Sequence, residues 1–551
     1  MSESTAVIET AQQVSLRDFT LRAGHQTLLD HVDVTLPAGK VSLIVGASGV
    51  GKTLLLRTLV GLVTVDGGEV HASGGVMVGD RNVLEAGPGV GLVGVVFQNY
   101  ALLDELSPLD NVRFAAAHRP SRKSPPAHAS PQELLKELGV PRHVRTASLS
   151  GGQRQRLAIA RTLAYDPAVV MFDEPTSGLD GGMARQVADL IRRTHEQHQK
   201  TTIIVTHDVN TLAPIADHVF LLDPTTRSLR EIDRSACLNS DWSLPRLNVE
   251  PSSGLQPAAG CPAAERSDAP EQLPTTFLAN TKSTLIKALA ATSRVVEQFA
   301  VLPWRLVPLW RSPAWGSRFL LHYLRMVAGP SAWIYVAVAG AIAGFVVTDY
   351  TFRFLPYRAY VEPLVVEDLV HALGFTLYRI LVPVLICSMV AARCGAAVAS
   401  DVGAKVYGHQ FDAMRSLGAR PESYIATNVL WAFLVGSVAL NMIAYVASRL
   451  VSLVVFTSTH PQLGPFFWES HFDMFLRVPG QRFYLGTGWL VAKLLVCGAG
   501  VASISYECGA RPKHSPTDVS RGITSTVLWS TLFVLVVHML FALFEFDQVE
   551  V

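Results

Sequence analysis

Charge is scarce in this 551-residue sequence. Asp, Glu, Lys and Arg together make up 17% of it, where soluble domains carry about a quarter. Hydrophobic residues make up 49% and the mean hydropathy is +0.30, so part of the chain is expected in a membrane. The charges nearly cancel, leaving +1. That balance provides no broad basic face, and no nucleic-acid partner is expected. Cysteine is also scarce. The six residues Cys237, Cys261, Cys387, Cys394, Cys497 and Cys508 form no CxxC pair, which excludes a local zinc or dithiol motif. Most are expected as small buried hydrophobes. The first 40 residues hold no sustained apolar run, so no secretory leader is expected and the N-terminus is read as cytosolic.

What is present divides the chain in two. Residues 1–235 alternate short Val/Ile/Leu runs with polar helical stretches, which reads as an α/β domain. Residues 236–283 form a linker, rich in Pro, Ala, Ser and Glu over 249–276, and disorder is expected there. Residues 284–551 are apolar and are expected to be an all-α membrane domain. The run 326–348 has about 23 uncharged residues, enough to cross a hydrocarbon core of about 30 Å. Runs 423–448 and 523–544 also qualify. Runs 372–400 and 483–506 qualify if Arg379, Arg393 and Lys493 are allowed inside. Five spans are therefore expected. Ahead of them, residues 284–325 mix Trp304, Trp310 and Trp315 with Arg305, Arg311, Arg318 and Arg325, which suits a helix lying in the interface. Five spans from a cytosolic N-terminus put loops 401–422 and 507–522 inside. Basic residues occur on both sides, so charge supports this orientation only weakly.

The clearest chemistry follows a strand. Residues 41–45 are an apolar β-like run, followed by Gly46-Ala47-Ser48-Gly49-Val50-Gly51-Lys52-Thr53 and a Leu-rich helical run. Glycines let backbone N–H groups curl round phosphates, and the helix N-terminus adds a favourable field. Lys52 is placed to reach β/γ oxygens and Thr53 to ligate Mg²⁺. A second apolar run, 169–172, ends in Asp173-Glu174. A buried strand seldom ends in two acids without a cation or a reaction to serve. Asp173 is assigned to Mg²⁺ and Glu174 to the attacking water.

Leu149-Ser150-Gly151-Gly152-Gln153 resembles the signature of the ABC ATPase family, and the resemblance extends over about residues 14–232. It implies further roles. Gln98 is the Q-loop residue that senses Mg²⁺ and contacts a permease. Asp180, in Ser177-Gly178-Leu179-Asp180, belongs to the D-loop. His207 contacts the γ-phosphate. The signature residues 149–153 would complete the ATP site of a second copy, so a homodimer holding two MgATP is implied. One departure is Ala23, ahead of Gly24, where the family usually stacks an aromatic on adenine; Arg22 and His25 are the available substitutes.

Residues 379–421 carry a second resemblance. Arg379-Ile-Leu-Val-Pro383, Ala391-Ala-Arg393-Cys-Gly395, Asp401-Val-Gly403 and Gln410-Phe411-Asp412-Ala-Met414-Arg-Ser-Leu417-Gly418-Ala-Arg-Pro421 are similar to MlaE/YrbE-type permeases, which work with MCE-domain proteins in bacterial lipid transport. A weaker likeness covers about 300–546, including 511–526. Ile380 stands where the family commonly has Glu, Asp401 where it has Glu, and His409 precedes Gln410 in place of the usual acid. A fusion of ATPase and permease is itself unusual for the family. Independently of family, Phe411, Met414 and Leu417 fall on one helical face, with Gly418 and Pro421 expected to end the helix. Such a helix in a cytosolic loop suits a coupling element near Gln98. Arg379, Arg393 and Lys493 are expensive inside spans. Arg393 and Lys493 are read as meeting lipid headgroup phosphate, as pairing with an acid such as Asp401 or Glu507, or as snorkelling to the interface; Arg379 is read as a cavity residue or a structural one.

The expectation is therefore an α/β P-loop ATPase domain followed by a helical permease, multi-pass in a bacterial inner membrane. It would use ATP and Mg²⁺ to move phospholipid or a related lipid, with a second copy of itself and an MCE ring as partners. The alternatives are an ABC exporter or flippase of another cargo, and a membrane-anchored ATPase that regulates an envelope partner without transport.

Overall fold

The structure is a computed structural model. It describes residues 11–24, 26–47, 49–63, 70–120, 130–237, 306–354, 358–477, 480, 482–513 and 515–546. The linker expected at 236–283, with Cys261, lies almost wholly outside the described residues, as do Trp304, Arg305, His25 and Ser48. The chain forms two compact units, Met1–Thr292 with His409–Ala419, and Ser293–Gly408 with Arg420–Val551.

The first unit is α/β. Its strands are β1 (Val14–Ala23), β2 (Gln26–Leu36), β3 (Val41–Val45), β4 (Val70–Val78), β5 (Arg81–Asn82), β6 (Val93–Val96), β7 (Val169–Asp173), β8 (Thr201–Thr206), β9 (His218–Asp223) and β10 (Ser228–Ile232). One sheet has the order β10-β9-β3-β8-β7-β6. It is parallel from β9 to β6, with β10 antiparallel on the edge. Every residue of β3, β6, β7 and β8 is buried, as parallel strands covered on both faces require. Register decides where the chemistry lies. Val45 pairs with Thr206 and Asp173 with Val205, so β3, β7 and β8 end side by side. Crevices at the carboxyl ends of parallel strands are where α/β sheets bind ligands. The second sheet, β2-β1-β4-β5, is antiparallel. Its mixed burial pattern is that of a sheet half exposed to solvent.

A short helix from the second half of the sequence, Gln410–Ser416, belongs to this first unit. Ala413 is part of the core beneath the P-loop helix, and Phe411, Met414 and Leu417 are all buried. The helix ends at Gly418, which takes φ 71°. Pro421 does not terminate it as expected. It opens the next helical segment, Glu422–Ala426, because proline's missing N–H costs nothing at a helix start.

The second unit is helical. Among the described residues, five helical stretches are long and apolar enough to cross a membrane: Pro313–Arg353, Val365–Tyr407, Glu422–Thr459, Thr487–Ala510 and Pro516–Glu545. They coincide with the five expected runs, with shifted ends. The fourth starts at Thr487 because Gly486 takes φ 80° and turns the chain. Within the first stretch, the Pro313–Ala328 helix buries Trp315, Phe319, Tyr323 and Val327 and exposes Arg318 and Arg325. That is the amphipathic pattern read from the sequence, now continued after Gly329 by the Pro330–Arg353 helix. This helix packs closely on Thr427–Thr459. A Cβ on Gly340 would stand 2.2 Å from Ala444 O, and one on Gly344 2.2 Å from Ser448 O. A turn further along, Thr348 donates to Ser452 Oγ at 2.8 Å. Without a hydrophobic driving force between helices in lipid, small residues and interhelical hydrogen bonds of this kind hold them together.

Candidate nucleotide site and the buried charges of the permease

The phosphate loop leads from β3 into the Lys52–Leu59 helix. Gly49 and Gly51 take φ 82° and 96°. A Cβ on Gly51 would come 2.7 Å from Leu28 Cδ1, so both conformation and space call for glycine there. Lys52 is 6% exposed. Its Nζ donates to Gly46 O and Ala47 O, both at 3.0 Å, and lies 3.3 Å from Glu174 Oε1.

Glu174 stands just past β7 at φ 46°, a conformation a branched or bulky residue resists and one that clusters at functional sites. Its N–H donates to Val205 O at 2.8 Å, which fixes it against the end of β8. Its Oε2 is 2.7 Å from His207 Nδ1 and 3.3 Å from Thr206 Oγ1. Gln98 Nε2 donates to Ser177 Oγ at 3.1 Å. Gly49, Gly51, Lys52, Thr53, Gln98, Glu174, Ser177 and His207 line one cavity of about 410 Å³. The structure thus gathers residues from four separate strand ends around one space.

Asp173, behind Glu174, is 4% exposed, and its Oδ1 has no hydrogen-bond partner. Burial, and next the neighbouring Glu174 charge, push its carboxyl up to about 6. A buried oxygen with nothing to bond, at the end of the strand beside Thr53, fits a divalent cation and its water shell. Asp173, Thr53 and Gln98 are the residues that would hold Mg²⁺.

The signature residues are elsewhere. Ser150 caps the Gly151–Ala164 helix in a reciprocal capping box, with Gln153 N donating to Ser150 Oγ at 3.3 Å and Ser150 N to Gln153 Oε1 at 3.0 Å. Leu149 is buried beneath it. Gly151 and Gly152 line a different cavity, with Tyr100 and Met183. Asp180 caps the Gly181–His198 helix, accepting from Met183 N at 2.8 Å. Among the described residues of one chain, the phosphate-loop glycines and the signature glycines line different cavities. Ala23 ends β1, half-buried, and Arg22 is exposed.

The Gln410–Ser416 helix reaches the nucleotide machinery through side chains the motifs did not reveal. Arg57 Nη2 donates to Asp412 Oδ2 at 2.9 Å, and His409 Nδ1 lies 3.0 Å from the same oxygen. Burial opposes ionisation of Asp412, but the His409 hydrogen bond and the Arg57 charge outweigh it and hold its carboxyl below the usual range. The His409 ring stacks on Phe97, 5.8 Å between centroids and 5° between planes, and Phe97 immediately precedes Gln98. Gln410 Nε2 lies 3.5 Å from Asp104 Oδ2. A Cβ on Gly89 would come 2.3 Å from Gly418 Cα, so two backbones meet where only glycine fits. Arg57 had no sequence signal and His409 stood out only as a departure from the family pattern, because Arg57 meets Asp412 and His409 meets Phe97 across hundreds of residues of chain.

In the second unit, Arg379 and Lys493 are both 3% exposed. For Lys493 the acid is not Asp401 or Glu507, the partners suggested by sequence. Glu545 takes both cations: Arg379 Nε donates to Oε1 at 2.7 Å and Lys493 Nζ to Oε2 at 3.1 Å. Lys493 also donates to Arg379 O at 2.9 Å, and the guanidinium lies over the Phe375 ring at 5.0 Å. Asp401 instead bonds Lys405 and His322. Ile380 is 37% exposed, and the acid that meets Arg379 is Glu545 on the last helix. Arg393 is half-buried and donates to Ser331 Oγ at 2.8 Å. Glu545 was discoverable only as a lone acid near the end of an otherwise apolar final span.

Comparison with known proteins agrees with this division. Residues 29–177 match the family model described as ABC transporter, which defines the first unit as an ABC-type ATPase domain. The chain is 38% identical over 213 residues to the sulfate/thiosulfate import ATP-binding protein CysA of Mycobacterium tuberculosis (strain ATCC 25618 / H37Rv), covering 38% of this chain and 58% of that protein. It is 36% identical over 215 residues to the protein of the same name from Burkholderia pseudomallei (strain K96243), covering 38% and 60%. The chain thus spans about 58% of the length of the curated relatives it matches. Among solved structures, cbiO1 from Clostridium perfringens, part of the ABC transporter complex cbiONQ, is similar at 23% identity and TM-score 0.34, over 40% of this chain and 88% of that one. A dimeric ATP-binding cassette in a post-hydrolysis state, bound to ADP and Pi, is similar at 26% identity and TM-score 0.33, over 40% and 98%.

Residues 323–544 match the family model described as permease MlaE. The chain is an ABC transporter ATPase domain followed, in one polypeptide, by a permease domain of the MlaE family.

Proposed function

We propose that this protein is an ATP-driven transporter of phospholipid or a related lipid in a bacterial inner membrane. It would act as a homodimer and deliver to, or receive from, an extracytoplasmic MCE-domain ring. The observation that carries the reading is the Gln410–Ser416 helix. A segment lying between two membrane spans in sequence is packed into the ATPase core and stacked on the residue before Gln98, which is the mechanical link a transporter needs. The permease match supports a lipid cargo; the CysA likeness concerns only the ATPase domain.

In this reading two chains pair so that Ser150, Gly151 and Gly152 of one copy face the phosphate loop of the other. The capping box keeps the Ser150 helix start ordered, with its N–H groups turned toward incoming phosphate. Lys52, now held by Gly46 O, Ala47 O and Glu174, exchanges the carboxylate for phosphate oxygens. Released from Lys52, Glu174 orients and deprotonates the attacking water, steadied by His207 and Thr206. Mg²⁺ held by Asp173, Thr53 and Gln98 would neutralise charge on the phosphates. Changes at Gln98 pass through Phe97 and His409 to the short helix and so to the spans on either side of it.

The test is purification from native membranes in mild detergent, with mass spectrometry of co-purifying protein and lipid. An MCE-domain protein at stoichiometric level together with bound phospholipid is expected. A homodimer carrying neither would remove the MCE and lipid parts of the reading.

A further inference from the structure

Three side chains that no motif joins meet inside the permease unit. Cys387 lies on the Val382–Met389 helix, Cys497 on Thr487–Ala510 and His538 on Pro516–Phe546. They are 3%, 1% and 7% exposed. Their Sγ, Sγ and imidazole nitrogen atoms all lie within 4.8 Å of one another. His538 Nε2 is buried with no hydrogen-bond partner. Cys497 faces both Cys387 and the His538 ring, yet a weak S–H donor leaves that buried ring nitrogen short of a proper hydrogen bond, which needs a reason.

We propose that Cys387, Cys497 and His538 form a binding site for a single thiophilic d¹⁰ cation, Cu(I) or Zn(II). Two thiolates and an imidazole are the donors such ions select. Metal–sulfur bonds of about 2.3 Å and metal–nitrogen bonds of about 2.0 Å set tetrahedral donors about 3.5–3.8 Å apart, inside the 4.8 Å that encloses all three atoms. Binding releases one proton from each thiol to solvent and changes no oxidation state. Charge favours the ion in this dry interior. Two thiolates with Zn(II) are neutral. With Cu(I) they carry one negative charge, matched by the surplus positive charge of Arg379 and Lys493 over Glu545. Two of that charged trio share helices with the cluster: Lys493 is four residues before Cys497 and Glu545 seven after His538, spacings that share a helix face. The ion would join three segments of the bundle, and its role is independent of cargo or nucleotide.

The test uses the full chain purified under reduction and stripped of metal, then offered Zn²⁺ or bathocuproine-buffered Cu⁺. Metal per chain is counted after desalting, and X-ray absorption reads the donor atoms. About one ion per chain with two sulfur neighbours at about 2.3 Å is expected, and the arm that saturates identifies the metal. Cys387→Ser/Cys497→Ser should abolish uptake, and His538→Gln should weaken it by about tenfold or more. Wild type that takes up neither ion would overturn the proposal, even if the variants do not fold. So would uptake unchanged in the double variant, absence of sulfur scattering, or a 387–497 disulfide in alkylated protein from intact membranes.

Discussion

The nucleotide site and the charged centre of the permease both bury ionised groups, but they assemble them differently. In the ATPase unit, Asp173 ends β7, Glu174 and His207 come directly after β7 and β8, and Lys52 opens the helix that the phosphate loop joins to β3. Strand register alone brings them together. In the permease unit, Arg379, Lys493 and Glu545 come from three helical segments, and the Arg379–Glu545 pair closes over 166 positions. The first arrangement is specified locally and can sit on any sheet of this type. The second exists only when the whole bundle has packed, so it ties charge satisfaction to the state of the bundle.

Changes of the greatest effect should come from the first region. Glu174→Gln should lower ATP turnover by about 10²–10⁴-fold while ATP binding persists, measured by turnover assay and nucleotide retention. Lys52→Ala should weaken ATP binding by about 10²-fold, read by titration with a fluorescent nucleotide. If Glu174→Gln turns over normally, the local assignment breaks. Next in size, Glu545→Gln leaves two cations sharing a neutral amide and should cost about 3–5 kcal/mol, seen as a lower unfolding temperature in detergent with nucleotide affinity unchanged. An equal loss of nucleotide affinity would show that the two regions are not separable.

These contrasts explain what the sequence disclosed. The phosphate loop, the Asp173-Glu174 pair, the signature and five spans were legible because each is a run of adjacent residues whose spacing is its geometry. Glu545 was not, because its partners lie on other helices and the expected candidates, Asp401 and Glu507, are nearer only along the chain. The Phe97–His409 stack and the Arg57–Asp412 pair were hidden for the same reason, although the apolar face of 411, 414 and 417 was plain. The Cys387, Cys497 and His538 cluster had no spacing at all to reveal it.

Two smaller effects sharpen the comparison where the regions are joined and where a family feature is missing. Asp412→Asn weakens the charge-assisted bonds to Arg57 and His409 and should reduce lipid moved per ATP by about tenfold, with basal turnover nearly preserved. Ala23→Tyr should tighten ATP binding by about fivefold, the worth of one aromatic stacking contact of about 1 kcal/mol, read by the same nucleotide titration.

The most direct measurement is lipid movement and ATP turnover recorded together in proteoliposomes containing wild type, Glu174→Gln or Asp412→Asn. ATP-dependent movement of phospholipid in wild type, none in Glu174→Gln, and a lowered ratio of lipid to ATP in Asp412→Asn are the results this account predicts. Wild type that hydrolyses ATP at full rate while moving no phospholipid, with or without an MCE-domain acceptor, would contradict it.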